Sequence, residues 1–228
     1  MTELLKVAKL LDNVNRIKTF GKKERDDAPE DSLDPYFQML TPLTQLANEI
    51  NRCILSEDEV ADDASPRLKS IRRNMLLTNE KIHTQLIGMV NGSYRTYLQD
   101  GVITMRNNRY CIPVKAEYKS QVNGMVHDQS ASGSTFFIEP AAVVSLNNQL
   151  KELELQEKEE IEIILATLSA QTGEHTKELS QNQRIMTHLD FVFAKAKLAM
   201  DQNATEPMFN TEHYIHIRKG RHPLLDKK

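Results

Sequence analysis

The sequence has no tryptophan, only 6% aromatic residues, two cysteines, and eight each of glycine and proline in 228 positions. Each scarcity excludes something. With 39% hydrophobic against 27% charged residues, the chain is lean material for one thick core, although its length would allow one or two domains. Such a composition suits long exposed helices and predicts an elongated molecule. Cys53 and Cys111 lie far apart, there is no signal peptide, and no apolar run approaches the roughly 18 to 20 residues of a membrane span. The reading is a cytoplasmic protein with free thiols and no membrane partner.

What is present is charge, unevenly placed. The formal net charge is −3, but residues 22–64 hold four basic residues against twelve acids, a balance of −8. Residues 66–119 reverse this with ten basic residues against Glu80, Asp100 and Glu117, a balance of +7. The basic stretch could attract phosphate, or it could simply be the solvated faces of helices.

The prolines leave two long proline-free runs, 67–112 and 141–206, and long helices fit only there. The first opens on Ser65-Pro66, an N-cap residue before a proline at the first helical position. It then places Leu68, Met75, Ile82 and Met89 seven apart, with Ile71 and Leu86 alongside. That heptad-like stripe predicts a helix to about Tyr97. The second run opens at Glu139-Pro140 and carries Leu146, Leu150, Leu153, Ile161, Ile164, Leu168, His175, Leu179, Met186, Leu189 and Phe193 at steps built from threes and fours. It predicts one return helix, and about 60 helical residues would reach roughly 90 Å.

Between them, 101–138 is rich in β-branched and aromatic residues and broken by Asn107-Asn108, Asn123-Gly124 and Ser132-Gly133. Four short strands in antiparallel hairpins fit, the first turning at Asn107-Asn108, since Asn tolerates the positive φ of such turns. Toward the N-terminus, Leu4 to Ile17 forms one amphipathic helix, the charged stretch 21–34 breaks it, and a second apolar helix is expected over 35–54. Near the other end, His213-Tyr214-Ile215-His216-Ile217 alternates like a strand.

The predicted fold is therefore mainly α with a small β insert: two long antiparallel helices, coiled-coil-like, with a small antiparallel sheet at their tip and an N-terminal helical core. The divisions are 1–64 for the core, 65–98 for the ascending helix, 99–139 for the sheet, 140–210 for the returning helix, and 211–228 for the start of a further domain.

Several clusters invite chemistry. His127-Asp128 with Ser130, Ser132 and Ser134 suggests a hydrolase, but successive strand residues face opposite ways, so local geometry forms no nucleophile–base chain and no catalytic residue is assigned. A Ser/Gly turn with Gly133 left-handed accounts for the same residues, and Ser130 and Ser132 could also meet phosphate or ribose. His213 and His216, at i and i+3 on a strand, lack the further ligands of a metal shell, so no metal is assigned. The acids from Glu152 to Glu162 read as a solvated face, or as a helix N-terminal half pairing with Lys and Arg of the facing helix, rather than as a divalent-ion site, and His175 reads as a packed or edge residue.

Arg106, Arg109, Lys115 and Lys119 lie in or beside two adjacent strands, with Arg72, Arg73 and Arg95 on the ascending helix. If some share a face, they would hold nucleic acid by counterion release without reading bases. Alternatively they keep an exposed sheet soluble and block edge pairing.

The run NNRYCIPVKAEYKSQVNGMVHDQSASGSTFFIEPAAVVSLNNQL (107–150) resembles the clamp segment of the MutS-two family, bacterial MutS relatives without the mismatch-reading domain. HLDFVFAKAKLAMDQNATEPMF (188–209) with RHPLL resembles that family's passage from lever helix into ATPase domain, and ADDASPRLKSIRR (61–73) fits between. The resemblance covers essentially the whole chain.

It implies that the helices are levers and the sheet a clamp for nucleic acid. It also implies that the chain is a piece cut just before the ATPase domain and lacking the stretch that normally precedes it. The parent would be an ATP- and Mg-dependent, homodimeric, DNA-binding endonuclease with a Smr nuclease domain. Such relatives are linked to suppression of recombination through branched DNA and, in some bacteria, to stalled ribosomes and hence rRNA. No G-x-x-x-x-G-K-[ST] run occurs in this sequence, so no cofactor and no enzyme activity are expected of the segment itself. The competing reading is a coiled-coil scaffold or dimerisation element whose stripe residues meet a second subunit.

Overall fold

A computed structural model of the chain describes residues 1–23, 31–220 and 222. Part of the charged break (24–30) and, apart from His222, the RHPLL motif lie outside the described residues. The chain forms two compact units. One comprises Met1–Lys6 and Asn48–Thr172, the other Val7–Ala47 and Gly173–Lys228, so residues of the 1–64 stretch fall in both.

The first unit is built on two helices and a sheet. Helix α4 (Pro66–Asn91) begins as the sequence predicts: Ser65 is extended and its hydroxyl accepts the Leu68 N–H at 3.0 Å, with proline in the first turn. Its buried stripe is Leu68, Ile71, Thr78, Ile82, Leu86 and Val90. The steps drift from seven to fours, as on a straight α-helix.

The helix stops at Asn91, six residues short of Tyr97, because Asn91-Gly92-Ser93 breaks the ladder. Gly92 sits so close to the preceding turn that a Cβ there would lie 2.7 Å from the Gly88 carbonyl oxygen. Residues 97–99 then run beside the sheet, with Gln99 N–H donating to Pro113 O and Lys115 N–H to Tyr97 O, both at 2.9 Å.

Four antiparallel strands follow: β1 (Thr104–Arg106), β2 (Arg109–Lys115), β3 (Gly124–Gln129) and β4 (Thr135–Pro140), ordered β1-β2-β4-β3. Asn107 and Asn108 take φ of 51° and 58°, the left-handed pair that a two-residue hairpin requires. The second hairpin closes through Gly133 at φ 72°. Strand alternation sends Ile112, Val114 and Ile138 onto α4 and onto α5 (Ala141–Glu174), where they join Ile82, Leu86, Val90, Val143 and Leu150 in one core.

Helices α4 and α5 run antiparallel, as polar partners show. Ser65 Oγ donates to Glu160 Oε1 at 2.7 Å, and Arg72 Nε to Glu157 Oε1 at 2.7 Å, so rising numbers on α4 meet falling numbers on α5. This is where the acidic run is used: Glu157, Glu159 and Glu160 pair with Arg72 and Arg67.

The expected single return helix is two, because a break separates α5 from α6 (Thr176–Gln202). His175 leaves the helical region at φ −105°, ψ 21°, and the Thr176 hydroxyl takes the Gly173 carbonyl at 2.6 Å. A glycine next to side-chain competition for helix carbonyls is sufficient cause. Helix α6 ends at Gln202, not 210, where Asn203 turns left-handed at φ 48° and its N–H caps Ala199 O and Met200 O.

In the second unit, α1 (Thr2–Lys23) from Val7 onward, α2 (Asp34–Met39), the start of α3 (Thr44–Cys53) and α6 supply the elements. Val14, Phe37, Leu40, Ile185 and Leu189 form a core. The helix predicted over 35–54 is split between α2 and α3. Pro42 disfavours helix at Thr41, and the fully buried Asn182 fixes that peptide from both sides, accepting from Thr41 N at 2.9 Å and donating to Thr41 O at 2.6 Å. The strand predicted at 213–217 does not form. His213 sits at φ 56°, and Ile215 and Ile217 are exposed. The Tyr214 carbonyl accepts from the Asn210 side chain at 2.9 Å, and among the described residues no neighbouring strand pairs with this stretch, which a strand requires.

Ile82 is fully buried whereas Leu76, on the same helix, is 61% exposed. Ile82→Ala should lower the stability of the first unit by about 2 to 5 kcal/mol. Leu76→Ala should change it by less than about 0.5 kcal/mol. Urea titration followed by circular dichroism reads both.

Candidate nucleic-acid interface

The sheet carries the cations that the sequence singled out, but it treats them differently. At the end of the sheet next to α5, Arg109 points its guanidinium at Glu139, with Nε to Oε2 and Nη2 to Oε1 both at 2.7 Å. Nη2 also donates to Asn148 Oδ1 at 2.7 Å. Glu139 is fully buried. Its remaining valences go to Asn147, whose Nδ2 donates at 2.8 Å, and to His127, whose Nε2 stands 2.6 Å from Oε2. A bulge in β3 between Val126 and Asp128 turns His127 toward that carboxylate. His127 and Asp128, which the sequence raised and rejected as part of a hydrolase, thus belong to a buried polar knot and to its neighbour.

Arg106, opposite Arg109 across the first hairpin, lies on the Phe137 ring with its guanidinium carbon 4.0 Å from the centroid, and pairs with Asp128 at 3.1 Å. Both arginines therefore already have carboxylate partners within the sheet.

At the other end the arrangement changes. Lys115 precedes the 3-10 segment Ala116–Gln121 and Lys119 lies within it, their ammonium groups 6.0 Å from the Tyr118 ring and 4.3 Å from the Phe136 ring. Among the described residues neither has an ion-pair partner.

Beside them is the serine turn. Lys115 is paired in register with Thr135, and Ala116 N–H donates to Ser134 O at 2.9 Å. The turn is ordered by its own hydroxyls: Ser130 Oγ accepts from Thr135 N–H at 3.1 Å and lies 3.3 Å from Ser132 Oγ, which lies 2.7 Å from Ser134 Oγ. So the structure brings Lys115, Lys119, Ser130 and Ser132 to one end of the sheet and leaves Arg106 and Arg109 tied down elsewhere on it. On α4, Arg72 is taken by Glu157 and Asp62, while Arg73, and Arg95 beyond the helix end, are exposed.

Sequence reasoning missed the knot around Glu139. Two signals could have found it: a carboxylate inside the apolar strand Thr135–Pro140, and an asparagine at the i+4 place after Val143 on the buried stripe of α5. His216 Nε2 lies 3.1 Å from Arg218 Nε, and among the described residues no group of three or more His, Cys, Asp or Glu is placed to hold a metal ion. Among those residues no helix is long and apolar enough to cross a membrane.

Burial alone would raise the Glu139 carboxyl, but hydrogen bonds from Arg109, Asn147 and His127, with the Arg109 charge, outweigh it and hold the group below the usual carboxylate range. The same burial, helped by the Glu139 charge, pushes the Cys111 thiol up to about 11. A carboxyl whose pKa is lower folded than unfolded stabilises the fold above its unfolded value, and that contribution disappears as pH falls through the folded one. Stability should therefore decline as pH drops below about 4.5. Glu139→Gln should cost about 3 kcal/mol at neutral pH and flatten that acid limb, as read by urea midpoints across a pH series.

No family model matches the chain. Curated relatives do, along its whole length. It is 54% identical to the endonuclease MutS2 of Agathobacter rectalis over 228 residues, which is 100% of this chain and 29% of that protein. It is 50% identical to the endonuclease MutS2 of Lachnoclostridium phytofermentans (99% of this chain, 29% of the relative) and 50% identical to that of Lachnospira eligens (99% and 28%). The chain thus spans under a third of the length of these relatives. Identity of this order, unbroken from end to end, shows that the chain belongs to the MutS2 family as a segment of it.

Proposed function

We propose that the segment is the lever-and-clamp part of a MutS2 protein, holding nucleic acid by its phosphate backbone at the end of the sheet formed by Lys115, Lys119 and the Ser130–Ser134 turn. The observation that carries this is the division among the cations: the two lysines have no carboxylate partner and stand beside exposed hydroxyls, whereas Arg106 and Arg109 are engaged. Free ammonium groups bind phosphate by releasing counterions, and hydroxyls add hydrogen bonds that carry no base information. In this reading Arg109 and Arg106 hold the shape of the grip without touching the ligand. The paired helices α4 and α5, tied by Arg72–Glu157 and Ser65–Glu160, are stiff enough to carry a displacement to it.

For the parent protein we infer an ATP- and Mg-dependent, cytoplasmic, homodimeric endonuclease acting on branched or double-stranded DNA in suppression of recombination, with rRNA on stalled ribosomes as a further substrate. Nucleotide chemistry would come from outside this chain, which has no phosphate-loop sequence.

The scaffold reading retains one observation. The stripe residues Leu68, Ile71, Ile82 and Leu86 are buried within the first unit and so unavailable to a second subunit. Leu76 on α4, however, and Leu155 and Ile163 on α5, remain exposed. Self-association through these would appear as a dimer by light scattering that Leu155→Glu dissolves.

The two readings part on salt. Each phosphate contact contributes about 0.9 to the log–log salt slope on duplex DNA, so Lys115→Glu with Lys119→Glu should flatten it by about 1.8 and weaken binding roughly 60-fold near 0.1 M salt. Fluorescence anisotropy with a labelled four-way junction, and with an rRNA hairpin, reads this. An unchanged slope, or no binding even at low salt, would sink the clamp.

A further inference from the structure

A second surface, in the other unit, has the composition of a polyphosphate site. Lys177, Gln181, Arg184, His188, Phe191 and Lys195 succeed one another on α6 at alternating steps of four and three, and all six are exposed. Side chains at such spacing stand in one row, here with a rise of about 27 Å from first to last. The acids of the same helix, Glu178, Asp190 and Asp201, leave that row by about 100° or more. Among the described residues Lys177, Arg184 and Lys195 have no ion-pair partner, so three cations stand unopposed along one face.

Flat rings are interleaved with the charges. His188 is stacked on Tyr36 of α2, ring centroids 4.6 Å apart at 26°. Phe191 is 60% exposed, with Lys195 Nζ 4.7 Å from its centroid. Beside Lys177 and Arg184 an open groove runs past Met39 and Ser180. An acidic polypeptide would satisfy the ammonium and guanidinium groups but offer nothing flat to the rings. A duplex would meet the charges but keep its base faces stacked inside. A single strand offers both phosphates and unpaired bases.

We propose that this row on α6 is a binding surface for single-stranded nucleic acid, with phosphates at Lys177, Arg184 and Lys195 and a base stacked at Phe191. It extends the nucleic-acid reading above to residues that the clamp does not use, so either can fail alone.

The test is anisotropy of the 228-residue chain with a short fluorescein-labelled oligodeoxythymidine across a KCl series. Lys177→Glu with Arg184→Glu should flatten the salt slope by about 1.4 and weaken binding roughly 25-fold near 0.1 M salt, at about 0.7 per contact for a single strand. Phe191→Ala should lose roughly 5- to 150-fold, the span for one stacked base. Arg184→Lys should keep most of the affinity. Helicity and melting of each variant check that α6 is intact, which exposed positions favour. Lys115→Glu with Lys119→Glu, run in parallel on the four-way junction, reads the clamp separately.

Three results overturn the proposal: no binding of the oligonucleotide by the parent chain at low salt, a slope unchanged in Lys177→Glu with Arg184→Glu, or displacement of the oligonucleotide by polyglutamate at equal charge. The last would assign the row to an acidic polypeptide.

Discussion

The first unit depends on one buried carboxylate. Glu139 sits on β4 with no exposure, and charge in such a place persists only if its lone pairs are taken. Arg109 from β2, His127 from β3 and Asn147 from α5 take them. Three strands and the helix that follows them are thereby fixed to one pair of oxygen atoms. The register of β2 against β4, the bulge in β3 and the direction in which α5 leaves the sheet satisfy the same requirement. The serine turn and the two free lysines at the opposite end of the sheet inherit their positions from it, since β2 and β4 run directly from one to the other.

A similar economy joins the helices. Apolar stripes alone would leave α4 and α5 free to slide by a turn, because leucine and isoleucine pack about equally well in adjacent holes. Ser65 to Glu160 and Arg72 to Glu157 remove that freedom, as each donor has one acceptor at the right height. Glu160 shows how far this goes. It is almost wholly buried in the stripe of a helix whose other acids are mostly exposed.

What could be read from the sequence follows from how local its causes are. Ser65-Pro66, Asn107-Asn108 and Gly133 act within a few residues, and the structure puts a helix start, a tight hairpin and a left-handed turn where they stand. The charged run on α5 was legible as a partner for arginine on the facing helix. Element ends were less so. Asn91-Gly92, Gly173 and Asn203 each end a helix that its apolar pattern would have carried further, because the pattern reports which face is buried and not where the hydrogen-bond ladder fails. Alternation at 213–217 reported a strand, but a strand is a relation between two segments and the second is missing among the described residues. The same distinction separates the cations. Arg109 and Lys115 look alike in a charge count, and only Glu139, thirty positions from Arg109, tells them apart.

Asn147 is the feature with the longest reach. In the β2–β4 register Tyr110 would stand opposite Pro140, which has no N–H to give and begins the turn into α5. The Asn147 side chain fills that vacancy, accepting from Tyr110 N at 3.2 Å and donating to Tyr110 O at 3.3 Å while also serving Glu139. A primary amide on a helix thus stands in for the peptide group that Pro140 cannot offer, and Tyr110 is not left with open backbone groups at that point. Aspartate there has the right size but no donor, and would set a second negative charge against Glu139. Leucine has neither donor nor acceptor, and glutamine carries the amide one carbon too far. Position 147 is in effect a piece of backbone supplied by a side chain, held to a backbone's chemical exactness rather than to the tolerance of a helix surface.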